Sequence, residues 1–285
     1  MKQYELDWMT SDGVPIHCQG WQPDASPRAV VCLVHGLGEH IGRYTHVAAT
    51  FTRAGFALHG SDLRGHGRSG GPRGHSPSYA ALLGEIDLLV TEAIALYGEI
   101  PWFLYGHSLG GNLVLNYALD RLAGRQMHSA PCAGIVATGP WLRLSMTPPS
   151  SKLLLGRIMN RILPTFVQPS GLDVTALSHD PQVVRDYRAD PLVHDRISAG
   201  LAMALFDAGE RALARAPEFS HPLLLMHGGA DRITSNQASQ DFARRVTGDC
   251  TFRSWDGLYH EIHNEPEKAE VLRFTVDWLT KHLPS

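Results

Sequence analysis

Apolar and polar residues follow two periods along this chain. Residues 4–8 alternate, Ser11-Asp12-Gly13 interrupts, and 14–21 can run back, which is the pattern of a β-hairpin. Residues 29–34 are apolar without a break, as expected of a strand covered on both faces, and the glycine-rich run His35-Gly36-Leu37-Gly38-Glu39-His40 follows. Residues 44–54 read as a helix stopped by Gly55 and 56–63 as a strand. An amphipathic helix spans 79–97, with Leu82, Leu83, Ile86, Leu89, Val90, Ala93, Ile94 and Tyr97 on one face. Strand character returns at 101–106, 133–138, 222–227 and 251–255, and helix character at 112–119, 236–246 and 265–282. Strands alternating with helices predict the α/β class, a mostly parallel sheet wrapped on both faces. The loops rich in Gly, His and Asp all follow strands, so they gather at the carboxyl edge, where such sheets place their sites.

The alternation stops between 141 and 220. That stretch is helix-prone, broken by Pro148, Pro149, Pro164, Pro169, Pro181 and Pro191, and shows no strand. The expectation is a core of 1–140 and 221–285 carrying a helical cap, 141–220, over the site as a lid. Within 151–163, Leu154, Leu155, Ile158, Met159 and Ile162 share one helical face, Lys152, Arg157 and Arg161 lie away from it, and no acidic residue is present. Such a helix can rest on an anionic lipid surface or line an acyl tunnel, or its apolar face can pack on the rest of the lid. Peripheral membrane contact through the lid is therefore one partner expectation.

Composition narrows the field. The 285 residues are 44% hydrophobic and 19% charged, enough for a sizeable core. A net charge of −3 gives no basic surface for nucleic acid. Cys18, Cys32, Cys132 and Cys250 have neither disulfide-framework nor zinc spacing, so free thiols in a reducing compartment are expected. The first residues lack the apolar stretch of a signal peptide, and no apolar run reaches membrane-spanning length. A cytoplasmic protein is the expectation.

The chemistry centres on Gly106-His107-Ser108-Leu109-Gly110-Gly111, where a strand turns abruptly into a helix. A serine on such a turn is the nucleophile-elbow pattern, and Gly106 and Gly110 must be small for strand and helix to pass closely. A serine hydroxyl needs a base, and the base needs a carboxylate to orient it. In the order this architecture uses, those partners are Asp231, after the strand at 222–227, and His260, after the strand at 251–255. Tyr259-His260-Glu261-Ile262-His263 offers a second imidazole, but His263 stands nearer the closing helix and reads as a surface or capping residue. The pair is one residue short of the zinc-binding H-E-x-x-H spacing. The oxyanion donors are expected to be the backbone N–H groups of Leu109 and Leu37. No metal and no cofactor is needed.

These segments together resemble the monoacylglycerol lipase family of α/β-hydrolases. The resemblance rests on His35–His40 with Arg43-Tyr44, Asp62-Leu63-Arg64-Gly65-His66-Gly67-Arg68-Ser69, Gly106–Gly111, Asp190-Pro191-Leu192-Val193, His227-Gly228-Gly229-Ala230-Asp231-Arg232-Ile233-Thr234 and Gly257-Leu258-Tyr259-His260-Glu261. They fall in the family's order from about residue 35 to 265. The resemblance implies the α/β-hydrolase fold, Ser108, Asp231 and His260 as catalytic residues, and Leu37 and Leu109 as oxyanion donors. Leucine at both oxyanion positions, where some members carry a smaller residue or Met, implies a narrowed acyl channel. The implied activity is cleavage of lipid carboxylic esters, monoacylglycerol foremost, through an acyl-Ser108 intermediate. Lysophospholipids and simple short or medium-chain esters are alternative substrates, and a non-catalytic ligand-binding scaffold is the distant alternative.

Overall fold

Six consecutive apolar residues can form a strand buried on both sides only if alternate side chains enter different cores, and Ala29–Val34 does this. Val30, Cys32 and Val34 point into one hydrophobic cluster, and Ala29, Val31 and Leu33 into a second on the opposite face. In the computed structural model, which describes residues 1–122, 129–146 and 148–284 and the backbone alone of Lys152, eight strands build one sheet. In chain order the strands are β1 (Lys2–Met9), β2 (Pro15–Gln22), β3 (Ala29–Val34), β4 (Phe56–Ser61), β5 (Trp102–His107) and β6 (Cys132–Thr138). The short β7 (Val167–Pro169) and β8 (Arg196–Ser198) come next, then β9 (Leu223–Gly228) and β10 (Cys250–Trp255). The sheet order is β1-β2-β4-β3-β5-β6-β9-β10. The hairpin β1–β2 joins antiparallel at one edge, and from β4 to β10 every pairing is parallel. This is the α/β-hydrolase fold.

Helices α1 (Thr45–Arg53), α2 (Tyr79–Tyr97), α3 (Leu109–Tyr117), α4 (Ser150–Ile162), α5 (Pro181–Ala189), α6 (Ala199–Arg215), α7 (Asn236–Arg245) and α8 (Lys268–Lys281) complete the chain. Side chains of α1 and α8 fill one core, and those of α2, α3, α6 and α7 the other. No helix among the described residues is long and apolar enough to cross a membrane.

Residues 141–220 differ from the expectation in two respects. They do contain strands: β7 and β8 pair antiparallel over three residues, too few to leave a periodic signature. Also, α6 belongs to the main helix layer, since Leu201, Leu205, Ala212 and Leu213 join the same core as β3 and α3. Asn112 and Asn116 of α3 donate to the Leu205 and Ala208 carbonyls at 3.4 and 3.2 Å, stitching α6 to the elbow helix. By contrast α4 packs on α6 through a narrow face, where Gly156 lets the Met203 side chain approach. Leu154, Leu155, Ile158 and Ile162 are exposed, at 60, 58, 46 and 72%. The expected packing of that apolar face on the lid therefore fails for four of its five residues; of the five only Met159 is half-buried, along with Leu153 and Gly156.

Other segments of 141–220 are tied to the loops that follow the sheet strands. The backbone N–H of His194 donates to Gly38, that of Ser198 to Gly74, and that of Glu261 to Leu177. The buried Glu265 carboxylate accepts from the Ser178 hydroxyl, the His179 N–H and the Tyr259 N–H, tying Ser178 and His179 to the loop after β10.

Candidate active site

The turn at Ser108 has no slack. Ser108 carries φ 54°, the one positive value at a non-glycine residue among the described residues, a strain that persists only where the surroundings over-determine it. A Cβ on Gly110 would stand 2.0 Å from the Val34 carbonyl oxygen, and one on Gly106 2.3 Å from the Gly110 oxygen. Both glycines are thus required by close backbone approach, as the sequence pattern predicts. Ser108 sits at the N-cap of α3, where backbone N–H groups converge and favour negative charge.

Ser108, Asp231, His260 and Leu37 line a single cavity of about 610 Å³. His260 Nδ1 lies 2.7 Å from Asp231 Oδ2. Asp231 is held by a dense set of donors: its Oδ1 accepts the N–H groups of Ile233 and Thr234, and its Oδ2 the Thr234 hydroxyl. His227 Nε2 stands 3.0 Å from the same Oδ2. Burial alone would raise this carboxyl, but His260 and His227 hold it well below the usual carboxylate range. In turn, burial would push the His260 imidazole down, and the Asp231 carboxylate overrides that and raises it. The Ser108 hydroxyl has no side-chain partner among the described residues, His260 included; catalytic contacts of this kind tighten when substrate binds.

His263 corrects the sequence reading. It is not a surface residue: it is 1% exposed and stacks on Tyr44 with ring centroids 5.0 Å apart. Burial pushes its imidazole down to about 3, and it does not reach Asp231. A helix-end position was legible in the sequence, but the aromatic slot waiting in α1's approach was not.

The two oxyanion candidates differ in their side chains. Leu109 is buried in the core with α2 and α3 and does not line the cavity, whereas Leu37 does. Only Leu37 can narrow an acyl channel. The peptide carrying the Leu37 N–H is fixed from its other end: His35 Nδ1 is 2.7 Å from the Gly36 oxygen, and His35 Nε2 accepts the Leu63 N–H. Since that Leu63 bond requires the proton on Nδ1, His35 donates to Gly36. A trans peptide then directs the Leu37 N–H the opposite way.

Three charged residues of the site escaped sequence reasoning. Glu39 Oε1 accepts the Gly36 N–H at 2.7 Å and the Tyr44 hydroxyl at 2.8 Å. Arg43 bridges Glu39 to Glu261, the residue beside His260. All three lay inside the recognised motifs, and the i,i+4 spacing of Glu39 and Arg43 was the available signal. Their pairing with Glu261, 218 residues on, was not readable. Thr234 and His227, which support Asp231, lie in the same 227–234 segment as that carboxylate, and nothing in their spacing marks the role.

This fold and site define a serine ester hydrolase. Comparison with known proteins agrees: residues 25–267 match the family model described as serine aminopeptidase, S33, and the chain belongs to that family. It is 36% identical over 273 residues to the monoacylglycerol lipase of Mycolicibacterium smegmatis, covering 95% of each chain. It is 38% identical over 277 residues to an uncharacterised abhydrolase domain-containing protein of Dictyostelium discoideum, and spans 29% of that longer protein. Among solved structures, the Paleococcus ferrophilus monoacylglycerol lipase superposes with a TM-score of 0.83 at 37% identity, covering 99% of this chain and 100% of the other.

Proposed function

We propose that the chain hydrolyses monoacylglycerols to fatty acid and glycerol through an acyl-Ser108 intermediate. The observation that carries this is the His260–Asp231 pair opening, together with Ser108, onto one cavity. Ser108 attacks the ester carbonyl while His260 takes its proton, and Asp231 orients the ring and stabilises the imidazolium. The N–H groups of Leu37 and Leu109 receive the charge that develops on the carbonyl oxygen. His260 then protonates the leaving glycerol oxygen, water attacks the acyl-enzyme by the same route in reverse, and Ser108 is regenerated.

The cavity supports a substrate with an apolar tail and a polar head. Leu37, Leu144, Met146, Leu172, Leu177 and Ile233 provide an apolar wall, with Glu39, Tyr187 and Asp173 at polar positions. Its volume lies within the range of small-molecule sites, roughly 300–1,000 Å³. Within residues 141–220 the part before α6 acts as the lid, over a core formed by 1–140 and 221–285 together with α6. The exposed leucines and isoleucines of α4, beside Arg157 and Arg161, give the lid a basic amphipathic face for an anionic lipid surface. Four free cysteines fit action in a reducing, cytoplasmic compartment. A panel of monoacylglycerols, lysophospholipids and simple esters of graded chain length tests the substrate. Preference for monoacylglycerol supports the proposal, and preference for either other class replaces it.

A further inference from the structure

The strongest unexplained feature outside the triad is a buried chain of charges that joins two loops from distant parts of the sequence. Arg43 Nη1 donates to Glu39 Oε2 at 2.6 Å and to Glu261 Oε1 at 2.7 Å, and its Nη2 donates to Glu261 Oε2 at 2.7 Å. The side chains of Glu39 and Glu261 are each 2% exposed, and that of Arg43 11%. Glu39 passes the restraint to the Gly36 N–H, in the loop whose next residue is Leu37. Glu261 also accepts from Asn264 Nδ2 at 2.7 Å and is covalently next to His260. The Arg43 guanidinium lies over the Tyr187 ring of α5, 4.8 Å from its centre. Arg43 does not line the cavity, so it acts on the reaction through its partners.

Burying three ions is costly unless each is fully bonded, and apolar residues of similar size often stabilise as well or better. Stability alone is thus a poor reason for this arrangement. We propose that Arg43 is a positioning residue for the hydrolysis: it clamps the loop bearing the Leu37 N–H to the loop bearing His260, and its charge offsets two buried carboxylates beside the base. This rests on the proposed roles of Ser108, His260 and Leu37.

The groups around His260 set the direction of the test. At Nδ1 stand Asp231 and the Thr234 hydroxyl, and the His107 ring lies 4.8 Å away. Glu261 and Glu39 also favour the imidazolium, the buried His263 imidazole is held in its neutral form, and the Ala176 carbonyl accepts the His260 backbone N–H. Arg43 is the cation that balances the two glutamates. Replacing Glu261 by neutral Gln therefore favours the uncharged ring, whereas removing Arg43 favours the charged one. Replacing Arg43 by Lys keeps the charge but loses the two-pronged grip on Glu261.

The experiment is the pH profile of kcat/KM, with kcat and KM separately, for wild type, Glu261→Gln, Arg43→Met and Arg43→Lys on a soluble ester. The acid limb is expected to move down by about half a pH unit or more in Glu261→Gln and up by a similar amount in Arg43→Met. Arg43→Lys is expected to keep the wild-type limb while kcat falls about tenfold and KM stays within about threefold. Should Arg43→Met fail to fold, the other two variants decide. An unmoved limb in Glu261→Gln, or an unchanged kcat in Arg43→Lys, overturns the inference. Wild-type hydrolysis that survives Ser108→Ala would instead sink the underlying reading.

Discussion

His260 Nδ1 and Asp231 Oδ2 meet at 2.7 Å, with the Asp231 side chain fully enclosed and that of His260 3% exposed. Every donor that reaches the carboxylate favours the ionised form. Asp231→Asn would keep the shape but lose the charge and the preference for the proton on His260 Nδ1. Ester hydrolysis is expected to fall by roughly 10³-fold or more in kcat. Steady-state kinetics on a para-nitrophenyl ester checks this; a loss smaller than tenfold would remove Asp231 from the mechanism.

The pH dependence follows from the same pair. In the proposed mechanism His260 works as a base only when neutral, and the Asp231 carboxylate holds its imidazole above the ordinary 6.5. Activity therefore rises as pH passes through a midpoint higher than 6.5, and falls below it. A kcat/KM profile whose acid limb lies under that value would mean that burial, not Asp231, governs the ring.

Much of this was legible in the sequence because the fold's demands there are local. Strand β3 is an unbroken apolar run, α2 a face repeated over five turns, and the elbow a pair of glycines around a serine, so each announces itself within a few residues. Ser108, Asp231 and His260 could be ordered along the chain because each follows a strand. What remained hidden depends on contacts between distant segments. The burial of His263 requires Tyr44, the grip of Arg43 requires Glu261, and the packing of α4 requires Met203 opposite Gly156. Three-residue strands such as β7 and β8 leave no period to read.

The elbow glycines carry a stability prediction. Gly110→Ala would drive a methyl group to 2.0 Å from the Val34 backbone oxygen, in the middle of the sheet. Backbone cannot yield there as a flexible side chain could, so the cost is about 3 kcal/mol or more. Thermal unfolding should show a sharply lowered Tm or no soluble protein, and a wild-type Tm would contradict the packing described.

The exposed face of α4 predicts a separable effect. Leu154→Asp with Ile158→Asp removes apolar surface that touches neither Ser108 nor its partners. Co-sedimentation with anionic liposomes is expected to drop at least severalfold, while hydrolysis of a soluble short-chain ester stays near wild type. Liposome binding that does not change would rule out α4 as the contact.

If Ser108 forms the acyl-enzyme, removing its hydroxyl must abolish both covalent capture and turnover. Wild type and Ser108→Ala are compared for hydrolysis of a monoacylglycerol and for covalent labelling by a fluorophosphonate probe, with the modified residue located by peptide mass. A wild-type adduct on Ser108, no adduct in the variant, and hydrolysis lowered by roughly 10⁴-fold or more are expected. Hydrolysis retained in a folded Ser108→Ala protein, or an adduct on another residue, would contradict an acyl-Ser108 intermediate.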